Sequence, residues 1–186
     1  MRAQQGFSLV ELMVALAVLV ILVTVAIPSF NSTILRMRGS AVADKLISSL
    51  NLARSEAISR NTRVTVCASS DGVDCDNSAS NWNSGWIATW QDLEAAVGSQ
   101  NKVIKFWRLS NQGATINLTP VNSHKLIYRA NGEAFLSANG STEVSPPVAI
   151  GFNTQVDRCE ELTQDQRRVI SIAPFGALTI VRALCQ

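Results

Sequence analysis

Histidine occurs once, at His124, the sequence offers no clear Ser-His-Asp or Cys-His arrangement around it, and an enzyme is not expected. The four cysteines form no Cys-x-x-Cys and have no histidine beside them, which leaves zinc and thioredoxin-type chemistry poorly supported. No glycine loop suited to phosphate is present, and no cofactor is expected. Asp71, Asp74 and Asp76 miss the spacing of an EF-hand loop and read as a polar turn. A net charge of +2 argues against a dedicated nucleic-acid wrapper. With 16% charged and 47% apolar residues, the chain is neither a disordered tail nor a multi-span membrane protein.

Charge is scarcest at the N-terminus, where Arg2 and Glu11 are the only charged side chains before Arg36. From Leu12 to Phe30 the sequence LMVALAVLVILVTVAIPSF is long enough to cross a ~30 Å hydrocarbon core as one helix, and no second span follows. An ordinary secretory signal has a shorter apolar stretch followed by an Ala-x-Ala site, and neither is present. Instead a short polar leader, MRAQQG, ends in Gly6. Pro28 removes a helical hydrogen bond and predicts a kink or loosened turn at Ile27.

Beyond Asn31 the apolar positions Ala43, Leu46, Ile47, Leu50, Ala53, Ala57 and Ile58 recur near a 3.6 period, predicting an amphipathic helix to Arg60. The period then becomes two. Arg63–Cys67, Gly85–Gln91, Val103–Leu109, Lys125–Ala130, Val148–Phe152, Arg168–Ala173 and Ala177–Ala183 read as strands, and Asn131-Gly132 as a tight hairpin. Ala68–Ser84 reads as a long loop. Four cysteines allow three pairings; in an exported body the local one is expected, Cys67 with Cys75 and Cys159 with Cys185, with free buried thiols as the alternative. Trp86 and Trp90 share strand parity, which predicts a buried sheet face rather than a stacking platform formed with Trp82 and Trp107.

The run Gly6-Phe7-Ser8-Leu9-Val10-Glu11 resembles the prepilin signature of type IV pilins and type II secretion pseudopilins. The resemblance implies cleavage between Gly6 and Phe7 by a prepilin peptidase, methylation of the Phe7 amine, and an assembly role for Glu11 and Pro28. A lone carboxylate costs about 2.5–3.5 kcal/mol at the centre of a membrane helix on insertion scales. In a fibre it therefore calls for a partner, and the N-terminal amine of a neighbouring subunit is the obvious one. The implied fold is α+β, the type IV pilin fold: a long N-terminal helix, half of it anchor, packed on antiparallel sheet. The expected division is a leader at 1–6, a membrane and fibre-core helix at 7–30, and a soluble domain at 31–186 made of the helix 31–60 and the β body 61–186.

Leu52-Ala53-Arg54-Ser55-Glu56-Ala57, then Asn61, Val64, Val66 and Cys67, resembles the GspH/FimT family, as does the end from Phe152 through Asp157-Arg158-Cys159 to Gly176 and Cys185. Its DNA-receptor members carry Gly-Arg-x-Arg near the last strand, whereas this chain has Gly176-Ala177-Leu178-Thr179. Arg167, Arg168 and Arg182 remain as weak candidate DNA contacts, offset by Glu160, Glu161 and Asp165. The departure favours a FimU-like minor pilin of the tip or priming complex over a FimT-like DNA receptor or a GspH-like pseudopilin. Implied partners are other minor and major pilins, the prepilin peptidase and the inner-membrane assembly machinery. The implied location is the inner membrane, body in the periplasm, and the pilus tip after assembly.

Overall fold

The computed structural model describes residues 8–76, 82–92, 101–109, 114–119, 125–137, 150–156 and 167–185; inside the helix, the side chains of 25–29 and 31–32 lie outside that description. The chain divides into two compact units, Met1–Leu35 and Arg36–Gln186. One helix, α1 (Leu9–Ser59), runs through both.

In the first unit α1 begins at Ser8. The Ser8 carbonyl accepts from the Leu12 N–H (3.1 Å) and its hydroxyl accepts from the Val10 N–H (3.2 Å). Ser8 is thus the N-cap, and Glu11, three residues on, lies where the helix macrodipole favours negative charge. The Thr24 hydroxyl donates to the Ile21 carbonyl (2.8 Å), so this polar group within the apolar run is satisfied inside the helix. Leu12, Leu16, Leu19 and Leu22 are all more than half exposed. The helix continues through Pro28. Among the described residues no helix is long and apolar enough to cross a membrane. Within the run Leu12–Phe30 the side chains of 25–29 lie outside the description, and Phe30 beyond them is exposed.

The second unit is built on the apolar stripe of α1. Val42, Ala43, Leu46, Leu50, Ala53 and Ala57 are fully buried, as their three- and four-residue spacing requires for one face. The helix stops at Asn61, whose φ of 50° is left-handed. The Thr62 N–H donates to the Ala57 carbonyl (3.1 Å) and the Asn61 N–H to the Ile58 carbonyl (3.2 Å), satisfying carbonyls that a helix end leaves open.

Two antiparallel sheets cover that stripe. The first contains β1 (Val64–Ala68), β2 (Gly85–Gln91), β3 (Asn101–Arg108), β5 (Lys125–Tyr128) and β6 (Ala134–Ser137), in the order β3-β2-β1-β5-β6. The second contains β4 (Ala114–Thr119), β7 (Ile150–Val156), β8 (Arg167–Ile172) and β9 (Leu178–Ala183), in the order β4-β7-β8-β9. β4 and β6 add to the strands read from the sequence, and β7 runs on past the expected end at Phe152 to Val156, while Val148 and Ala149 lie outside the described residues. The tryptophans pack inward: Trp86 stacks on Trp107 with centroids 6.4 Å apart, and Trp82 meets Phe152 edge-on at 5.0 Å. The Trp86 indole N–H donates to the buried Ser49 hydroxyl (2.8 Å), which itself donates to the Leu46 carbonyl (2.6 Å). A buried polar pair thereby fixes the register of helix on sheet.

Candidate assembly surface

The residues singled out in the sequence fall into three places. Gly6 and Phe7 lie outside the described residues, next to the Ser8 cap. Glu11 is exposed on the first turn of α1, and Pro28 lies within the same helix. Sequence reading assigned Glu11 to assembly and missed that Ser8-x-x-Glu11 is also the spacing of a capping box, a signal legible from those two residues alone.

The second place is the disulfide loop after β1. Cys67 is bonded to Cys75, with Cα atoms 5.5 Å apart. Cys185 is also disulfide-bonded, and its expected partner Cys159 lies outside the described residues. The loop closes over the first sheet at Gly72, whose φ is 82°; a Cβ there would stand 2.6 Å from the Phe106 ring. Asp71 shapes the turn: its Oδ1 accepts from the Val73 N–H (2.8 Å), the Asp74 N–H (3.1 Å) and the Ser69 hydroxyl (3.1 Å). Those bonds, the Val73 N–H foremost, hold the Asp71 carboxyl below the ordinary carboxylate value. The carboxylate is committed to its own backbone.

The third place joins both sheets to the helix. Arg54 Nε donates to the Gly132 carbonyl (3.2 Å) and Nη2 to the Phe175 carbonyl (2.8 Å). Two turns distant in sequence, β5–β6 and β8–β9, thus meet on one guanidinium. The Ala134 N–H adds a bond to the Pro174 carbonyl (2.8 Å). Gly176, at φ 80°, has no room for a side chain: a Cβ would lie 2.2 Å from the Gly132 carbonyl oxygen and 2.8 Å from Arg54 Nε. Arg54 and Gly176 lie far apart in the sequence; folding brings them together. In this chain Gly176 serves packing, with Ala177 where a DNA-binding arginine was sought.

The candidate DNA-contacting arginines disperse. Arg168 is tied to the helix: Nη2 donates to the Ser40 hydroxyl (2.8 Å) and Nη1 lies 3.5 Å from Asp44 Oδ1. Arg167 has a buried Nε with no hydrogen-bond partner among the described residues. Arg182 stands opposite Arg168 across the β8–β9 ladder and is exposed. His124, Glu160, Glu161 and Asp165 lie outside the described residues.

Comparison with known proteins places this geometry. The family model described as "Type II transport protein GspH" matches residues 42–174, which hold Arg54, the Cys67–Cys75 loop and Arg168. The model described as "Prokaryotic N-terminal methylation motif" matches residues 1–27. Two crystal forms of the type IV minor pilin FimU from Pseudomonas aeruginosa (strain PAO1) are similar at 22% and 21% identity, with TM-scores of 0.50 and 0.52. Each alignment covers 76% of this chain, and 91% and 87% of the FimU chains. The minor pseudopilin EpsH from the Type 2 Secretion System of Vibrio cholerae is similar at 10% identity and TM-score 0.50, over 78% of this chain and 97% of its own. At these identities the likeness is one of fold.

Proposed function

The chain belongs to the family of the type II transport protein GspH, and from that premise we propose that it is a minor pilin, a structural subunit of the complex that primes a type IV pilus and stays near its tip. The observation that carries the reading is the joining of two matched segments by one helix. The methylation motif at 1–27 and the GspH body at 42–174 are linked by α1, Leu9–Ser59. A subunit so built is cut between Gly6 and Phe7 by a prepilin peptidase and methylated on the Phe7 amine. It waits in the inner membrane as a single-pass protein, body in the periplasm, until other minor and major pilins and the assembly machinery take it into a fibre. Within this reading residues 1–6 are leader, 7–30 anchor and fibre core, and 31–186 the exposed domain. Its role is mechanical rather than catalytic.

A second reading, a minor pseudopilin of type II secretion, is favoured by the family's own description. One deletion strain separates the two. The pilus reading expects sheared surface pili to fall at least fivefold while exoprotein secretion continues. Lost secretion with normal pili selects the pseudopilus instead. Normal pili and normal secretion together sink both readings.

A further inference from the structure

The two sheets end in four edge strands, and three of them are protected. β3 carries the exposed cations Lys102, Lys105 and Arg108, a common guard against strand pairing. On β4 the Ile116 N–H is taken by Asn83 Oδ1 (2.7 Å). On β6 the Ala134 N–H is taken by the Pro174 carbonyl (2.8 Å). β9 has one exposed cation, Arg182, and no capped edge amide among the described residues, and the rest of its surface is largely apolar: Ile180 is 49% exposed, Val181 59%, Leu184 just beyond it 72%, and Phe175 in the preceding turn 65%. A bare apolar edge is a liability for a chain that remains alone and an asset for one that is assembled.

We infer that β9 is a docking edge: an extended apolar segment of a different subunit, bearing a carboxylate opposite Arg182, adds to the second sheet as its fifth strand. The inference rests on the reading of this chain as a fibre subunit. Charge selects the occupant. Arg182 faces Arg168 across the ladder, and Arg168 is already satisfied by Ser40 and Asp44. Arg182 is exposed and meets no carboxylate among the described residues, so a carboxylate on the incoming strand would give it a cross-strand partner. A second copy of this chain supplies none: the stretch Leu178–Leu184 contains no acidic residue, and self-pairing would set an arginine into an apolar or like-charged ladder. Strand addition supplies main-chain hydrogen bonds for affinity, while alternate side chains set specificity, here an acid at one position and β-branched residues around it.

The test uses the full chain in detergent micelles and two ten-residue peptides of alternating Val and Thr, one with a central Asp and the other with a central Lys. Amide hydrogen exchange is followed across β9 and the three other edges. The expected result is at least fivefold slower exchange on β9 with the Asp peptide than with the Lys peptide. Arg182→Glu should reverse that preference, and the exposed substitution Val181→Lys should weaken protection by both peptides at an unchanged melting temperature. Four outcomes overturn the proposal: no protection, protection centred on another edge, protection indifferent to peptide charge, or β9 protection that grows with protein concentration alone. Failure here with pili lost in the deletion strain removes the docking edge and leaves the pilus reading. A charge-selective edge in a chain whose deletion leaves pili intact does the reverse.

Discussion

At the scale of single residues, Tyr128 shows how burial alone sets a chemical property. It is the chain's one tyrosine, fully buried, and its hydroxyl finds no hydrogen-bond partner among the described residues. Burial pushes the phenol well above its ordinary value, because the phenolate would lose its water, while the positive charge of Arg54 pulls the other way and loses. A group whose folded value is raised contributes fully below its unfolded value, near pH ~10, and that contribution is lost as pH climbs through the folded value. Tyr128→Phe keeps the ring, removes the unsatisfied hydroxyl and abolishes the titration. The variant should match the parent within about 1 kcal/mol at neutral pH. Above pH ~10 it should lose stability more gradually than the parent. Thermal melts across that range decide; a variant with the parent's alkaline slope would place the titrating group elsewhere.

At the scale of elements, the end of α1 is set by Asn61. Its left-handed φ is tolerated by asparagine and costs nothing for glycine, whereas a β-branched residue resists it. Asn61→Gly should leave stability within about 1 kcal/mol, and Asn61→Val should lower it by about 1–2 kcal/mol through the same backbone position. Denaturant unfolding of both variants is the check, and equal effects would mean that the cap contributes little. Legibility in the sequence follows the same division between local and distant causes. The helix, the strand Gly85–Gln91 and the local Cys67–Cys75 bridge could be read because periodicity, turn residues and short spacing are local signals. β4 carried its signal in the alternation of buried Ile116 and Leu118, and went unread because polar Thr115, Asn117 and Thr119 make up half of the segment. β6 has four residues and exists because the Asn131-Gly132 turn folds it back on β5. The Arg168 contacts span 128 and 124 positions, and the Arg54 contacts 78 and 121. No local pattern announces a partner so far along the chain, so an arginine that serves the fold looks the same in sequence as one offered to DNA.

At the scale of the whole molecule, the proposed function asks one helix to do two jobs, and Glu11 is where they can be separated. In the structure Glu11 is exposed on the first turn, where its charge suits the positive end of the helix dipole. That interaction contributes about 0.3–1 kcal/mol, too little to decide whether the Arg36–Gln186 unit, with its own buried core, stays folded. In the assembled fibre the same carboxylate would face the methylated Phe7 amine of a neighbour, away from water, where an unpaired charge is far more costly. The two roles respond differently to substitution. Glu11→Ala should leave membrane insertion and the melting of the body unchanged while cutting incorporation into sheared fibres at least fivefold, worth about 1 kcal/mol or more of assembly free energy. Glu11→Gln keeps the shape and a hydrogen-bonding oxygen but not the charge, so the pairing argument expects it to fail nearly as badly as alanine. If glutamine restores incorporation, the contact is a neutral hydrogen bond. If both variants incorporate normally, the apolar face of the helix assembles the fibre unaided and Glu11 is only part of its cap.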